Sequence, residues 1–199
     1  MDGFSKTIDV YNKHAQDLAV YFDGIGSRVN DVKQALSFVE KDNPKVIEVG
    51  CGNGRDAKSI LQYTHDYAGF DASFGMVSIA RKSIPGVSFE VSDFLTYKYP
   101  QRIDIIFAFA SLLHSSKVKI HKFFRKVSPH MSSGGIIYIS LKYGDYHKEI
   151  KKDKFGSRLF YFYTPEDIKT LAGVKYEFLY TDSSIIGHTQ WFVIILRKK

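Results

Sequence analysis

The chain has little with which to cross-link itself, hold a structural metal or enter a membrane. Cys51 is the only cysteine among 199 residues, so no internal disulfide can form and no paired Cys/His zinc ligands exist. Its longest apolar run, Ile105 to Leu113, is too short to span a bilayer. The start, Met-Asp-Gly-Phe-Ser-Lys, lacks the apolar core of a signal peptide. These absences lead to the expectation of a cytoplasmic protein with no membrane partner. No internal repeat or low-complexity segment interrupts the chain, and its length suits one domain with a sizeable core.

What is present is ordinary for a folded protein, with 44% hydrophobic and 25% charged residues, except for a high aromatic content of 13 Tyr and 16 Phe. The formal net charge of +7 favours anionic partners and is a weak indication of nucleic acid. Lysines crowd 117–126 and 148–154, where a solvated face competes with recruitment of an anionic substrate.

Short apolar runs alternate with amphipathic stretches, the pattern of a parallel sheet covered by helices on both faces. The reading places strands at about 45–49, 67–70, 87–90, 103–110 and 135–141, and helices at about 55–63, 73–82 and 117–129. Ile105 to Ala110 is apolar at every position, as in a central strand buried on both sides. Thr164-Pro165-Glu166-Asp167 opens a capped helix that ends at Gly173. Two β-rich runs, 175–181 and 190–197, are close enough to pair antiparallel. Residues 1–40 are expected to be a helical cap over a core of 41–199, with 142–163 a loop on the substrate side.

The most informative stretch is 46–54, Val-Ile-Glu-Val-Gly-Cys-Gly-Asn-Gly. Gly50, Gly52 and Gly54 permit a sharp turn and close backbone approach to a ligand. A dinucleotide fingerprint would need a further glycine where Arg55 stands, which disfavours an NAD-dependent oxidoreductase. With Glu48 two residues before the first glycine, the stretch resembles motif I of the class I S-adenosylmethionine-dependent methyltransferases. The resemblance continues in order: Asp71 ends the second strand, Asp93 follows the third, and Ser128 to Leu141 and Trp191 to Lys199 read like the closing elements of that family. Gly-Asn-Gly-Arg-Asp and Ser-Leu-Leu-His are similar to stretches in its small-molecule branch, tellurite-resistance-type enzymes included.

The resemblance implies a Rossmann-like α/β fold with a seven-stranded mixed sheet, order 3-2-1-4-5-7-6. It also implies S-adenosyl-L-methionine as cofactor and methyl transfer to a small-molecule acceptor. Asp71 would hold the ribose hydroxyls, with Ala72 beside it, and Asp93 would accept from the adenine amine unless it serves only to form a turn. Met76 and Phe94 would pack on the adenine, ordinary core packing being the alternative. Gly50, Cys51, Gly52 and Gly54 would form the floor under the cofactor, Glu48 would face its amino-acid end directly or through water, the Ala110 carbonyl would accept from its ammonium, and Tyr11 would close over the methionine part. Arg55 would pair with an acidic neighbour or with the cofactor carboxylate. His114 is either a general base or a histidine held by backbone. Arg158, Tyr161 and Tyr163 are candidate substrate contacts. The chain lacks the Asp/Asn-Pro-Pro-Tyr/Phe of amide and adenine N-methyltransferases, a cysteine free to attack a pyrimidine, and an acid cluster suited to magnesium. RNA or another macromolecule as acceptor, or cofactor binding without turnover, are the alternative readings.

Overall fold

The computed structural model describes residues 3–199. Three helices come first, α1 (Gly3–Lys13), α2 (Ala15–Ile25) and α3 (Val29–Leu36). The expected cap is thus helical, its first two residues lying outside the described ones. Strands β1 (Val46–Val49), β2 (Tyr67–Asp71), β3 (Ser88–Val91) and β4 (Ile103–Phe109) follow, with α4 (Ala57–Ile60) and α5 (Phe74–Ser83) between them. Then come α6 (Lys117–Val127), β5 (Met131–Lys142), β6 (His147–Asp153), β7 (Gly156–Phe162), α7 (Pro165–Ala172), β8 (Tyr176–Ile186) and β9 (Thr189–Lys198).

Seven strands form one sheet in the order β3-β2-β1-β4-β5-β9-β8. The first five are parallel, and β9 runs antiparallel to both β5 and β8. This is the expected order with two strands inserted: β6 and β7 form a separate antiparallel hairpin. The hairpin is the main departure from expectation, because it lies within 142–163, the segment expected to be a substrate-side loop. Lysines at 148, 151 and 152 hide the strand signal: β6 buries none of its residues, so it shows no apolar alternation. The helix expected at 55–63 shortens to Ala57–Ile60, the glycine turn and adjoining bends taking up its start.

The sheet is held by burial on both faces. All seven residues of β4 are buried, and Ile103, Ile105, Ile106, Phe107 and Ala108 are completely so. Each such large side chain contributes about 1.5–3 kcal/mol relative to exposure, more than an exposed ion pair supplies. Alternation divides them: Ile47, Val49, Ile106 and Ala108 face one apolar layer, while Val46, Ile105, Phe107 and Phe109 face the other. The start of α7 is fixed as its sequence implies, Thr164 Oγ1 accepting from the Asp167 N–H at 3.2 Å and Asp167 accepting from the Thr164 N–H, with Pro165 leading the helix. No helix among the described residues is long and apolar enough to cross a membrane.

One buried carboxylate pins the amino edge of the sheet. Asp104 accepts from Lys41 Nζ at 2.6 Å, the Lys45 N–H at 2.8 Å and Ser132 Oγ at 2.8 Å. Burial raises its pKa, but these bonds outweigh burial and hold it below the ordinary carboxylate value. A lowered folded pKa gives stability that is complete above the unfolded value and is lost as pH falls through the folded one. Asp104→Ala should therefore cost about 3 kcal/mol in urea unfolding at pH 7, a difference that closes as pH drops below about 4. An undiminished difference at pH 2.5 would contradict this account.

Candidate functional site

The parallel strands end at a common edge, and over it lies a cavity of about 410 Å³, a size suited to a small ligand. Its floor is the turn after β1. Gly50 sits at φ +76°, and a Cβ there would stand 2.3 Å from Ser111 Cβ, so neither the dihedral nor the space admits a side chain. Gly52 turns its N–H toward Asp71 Oδ2 at 3.0 Å, while Asp71 Oδ1 accepts from the Ser73 N–H at 2.8 Å. The carboxylate at the end of β2 thus ties the glycine turn to the start of α5. Burial pushes its pKa up, and the N–H groups of Ser73, Gly52 and Ala72 pull it back. A carboxylate offers about four lone-pair sites, so these three donors leave it spare acceptor capacity.

Ser73 caps α5, accepting from the Met76 N–H at 3.2 Å, and donates to Asn12 Oδ1 at 2.8 Å. The cap helices are also tied to the glycine turn: Asn53 donates to Asp23 at 2.8 Å and Arg55 to the Phe22 carbonyl at 3.2 Å. Arg55 pairs with its neighbour Asp56, with Nη2 at 2.6 Å from Oδ2. Asp93 stands at the cavity wall and also shapes its own turn, its Oδ1 accepting from the Leu95 N–H at 2.7 Å. The turn-forming reading of Asp93 is thus met, and its position at the cavity wall leaves it within reach of a ligand. Met76 and Phe94, each nearly buried, border the cavity beside it.

After β4 the backbone is strained. Ala110 adopts φ +47° and donates its N–H to Ser140 Oγ at 3.0 Å, a left-handed conformation that costs about 1 kcal/mol or more for a residue with a Cβ. Ser111, next along, has a buried hydroxyl at the cavity wall without a partner among the described residues. His114 Nδ1 lies 2.5 Å from the Leu159 carbonyl, which can only accept, so Nδ1 carries the proton. Nε2 is then free to accept from the Tyr11 hydroxyl at 3.2 Å. Burial lowers the His114 pKa to about 4, with Arg158 and Lys142 adding to the effect.

The structure brings Tyr11, Gly50, Cys51, Gly52, Asp71, Ala72, Met76, Asp93, Phe94, Ala110, His114 and Arg158 to this cavity. Glu48, Gly54, Tyr161 and Tyr163 do not border it. Glu48 follows the alternation of β1 onto the Val46 face, where it is 2% exposed and accepts from the Tyr67 hydroxyl at 2.5 Å. Burial, reinforced by Asp56, raises its pKa well above the usual carboxylate range. Gly54 packs against Ala80 of α5. Tyr163 is fully buried with its hydroxyl donating to the Ser115 carbonyl, and the Tyr161 ring stacks on Tyr146. For these two tyrosines, substrate contact is replaced by packing of the hairpin onto the sheet.

Among the cavity residues not singled out from sequence are Arg28, Lys142, Phe160 and Trp191. Lys142 had a readable signal, a charge closing the apolar run Ile136 to Leu141 at the carboxyl edge. Burial first, then Lys151 and Arg158, bring its ammonium pKa down to about 8.

Residues 46–135 match the family model described as a methyltransferase domain. A trans-aconitate 2-methyltransferase of Acidovorax ebreus is 32% identical over 102 residues, 50% of this chain and 40% of the relative. The chain thus spans about two fifths of the length of such curated relatives. Among solved structures, magnesium protoporphyrin IX methyltransferase of Synechocystis PCC 6803, with bound S-adenosylmethionine, superposes with TM-score 0.75 at 14% identity, covering 100% of this chain and 98% of that one. An amino pentose methyltransferase of Micromonospora echinaspora gives TM-score 0.70 at 15% identity, covering 92% and 97%. Strand order and full-length superposition agree that the chain has the fold of these solved methyltransferases, and the methyltransferase-domain match takes in the glycine turn and both following acids.

Proposed function

We propose that the chain binds S-adenosyl-L-methionine at the glycine turn and transfers its methyl group to a small-molecule acceptor. The observation that carries this reading is the carboxylate of Asp71, fixed by two backbone N–H groups and holding spare acceptor capacity at the cavity wall. A ribose diol needs two such acceptors, and the bare backbone at Gly50 leaves room for a ligand pressed against the turn. Asp93, Met76 and Phe94 offer an acceptor and apolar faces for a purine. The cofactor, when bound, supplies a methyl group already activated as a sulfonium.

The chain's own residues then have to orient and to exclude water. Tyr11 and Arg158 roof the cavity from opposite elements, α1 and β7, with Arg158 Nη1 donating to the Tyr11 hydroxyl at 3.4 Å. Burial raises the Tyr11 pKa, so this phenol stays protonated and donates to His114. A histidine with a pKa near 4 is a poor proton acceptor at neutral pH. Its role in this reading is to position Tyr11, which leaves the transfer without an imidazole base. A cavity walled by aromatics and covered by the cap helices supports a small acceptor rather than RNA, and a cytoplasmic setting suits the metabolite.

Titration of the full chain with S-adenosylhomocysteine is expected to show saturable binding, weakened about tenfold to a hundredfold by Asp71→Asn. Wild-type affinity in that variant would remove Asp71 from the ribose site. Transfer of labelled methyl into a metabolite extract, and not into extracted RNA, is the expected outcome for the acceptor class; the reverse would favour a macromolecular acceptor. Nitrogen NMR at pH 7 should find His114 neutral with its proton on Nδ1, titrating near pH 4. Titration at the ordinary histidine value would contradict the positioning role.

A further inference from the structure

The cavity has a second half that the cofactor reading does not use. Lys142 closes β5 opposite Trp191 of β9, two strands from the glycine turn and on the far side of β1 from Asp71. It is 7% exposed, and its Nζ lies 3.7 Å from the Phe160 ring centroid, 5.7 Å from that of Phe162 and 5.9 Å from that of Trp191. It takes part in none of the ion pairs among the described residues. Aromatic faces compensate a buried ammonium only in part, and a buried cation ordinarily has an anion beside it.

Arg158 supplies a second cation against the same Phe160 ring, its guanidinium carbon 5.6 Å from the centroid. Its Nη2 pairs with Asp153 and its Nη1 reaches the Tyr11 hydroxyl, but Nε is buried with no partner among the described residues. Asp153 offsets the charge of Arg158, and Glu149, the carboxylate that acts on Lys142, is itself paired with Lys151, so the pocket keeps a net positive charge at Lys142, together with an unpaired Arg158 donor.

We propose that this half of the cavity receives the carboxylate of a small acceptor, with Lys142 as the charge partner and Arg158 as a second donor. One net positive charge matches a monoanion better than a dianionic phosphate, and Phe160 and Trp191 offer an apolar bed for the carbon skeleton. The inference deepens the methyltransferase reading and rests on it for the identity of the neighbouring ligand.

Benzoate, benzamide and phenyl phosphate, titrated calorimetrically into the full chain saturated with S-adenosylhomocysteine, test it. Benzoate is expected to bind at least tenfold more tightly than either of the others, and Lys142→Met to abolish that preference. Benzoate binding no tighter than benzamide, or a preference that survives Lys142→Met, overturns the proposal. So does tighter binding of phenyl phosphate. Benzoate binding seen only without S-adenosylhomocysteine also overturns it, because the cations would then serve the cofactor's own carboxylate. Failure of S-adenosylhomocysteine to bind counts against the methyltransferase reading alone, since the benzoate and benzamide titrations still decide the anion site.

Discussion

The site depends on one carboxylate that joins two turns. Asp71 accepts from Gly52 on the turn after β1 and from Ser73 at the start of α5. Parallel pairing of β1 with β2, in which Val49 stands opposite Phe70, brings these turns into register. The Gly50 and Cys51 N–H groups both reach the Phe70 carbonyl, at 2.8 and 3.0 Å, and complete the clasp. A carboxylate held by charge-assisted bonds on a rigid sheet edge keeps its remaining acceptors fixed in direction, and preorganisation of that kind is what a binding site needs. The cap helices then close on the same elements through Asn12, Phe22 and Asp23.

The carboxyl edge divides into two chemically different halves. Around β1, β2 and β3 it is built from backbone, carboxylates and thioether or phenyl faces, all anchored by short local bonds. Around β4, β5 and β9 it is aromatic and cationic, and the β6–β7 hairpin completes it by bringing Arg158 and Phe160 over Lys142. His114 and Tyr11 stand at the junction, and the neutral imidazole couples the hairpin backbone to α1. The strained Ala110 and the unpaired Ser111 hydroxyl lie at the same junction, where stored strain accords with function rather than stability.

The parallel sheet was legible because its strands carry apolar signals at regular intervals, β4 being apolar at every position, and because the glycine turn marks the end of β1. Asp71 and Asp93 were legible as acids at the ends of expected strands, and their roles came from the methyltransferase resemblance. Glu48 was misplaced by one half-period: it lies in the right motif, but alternation along β1 directs it beneath the sheet toward Tyr67. The hairpin was missed because its first strand is solvated on both sides, and with it went the placement of Tyr161 and Tyr163. Arg28 escaped notice because an isolated basic residue at a helix start looks like a solvated one until the fold buries it, whereas Lys142, closing an apolar strand, carried a signal that was passed over.

The central claim is that Asp71 receives the sugar of an adenosyl ligand at the edge of this sheet. A crystal structure of the chain with S-adenosylhomocysteine tests it most directly. The account places both ribose hydroxyls within hydrogen-bond reach of the Asp71 carboxylate, at about 2.5–3.0 Å, with the backbone of Gly50 to Gly52 against the ligand. A nucleoside seated elsewhere, or one that leaves Asp71 bonded only to Gly52 and Ser73, would contradict it.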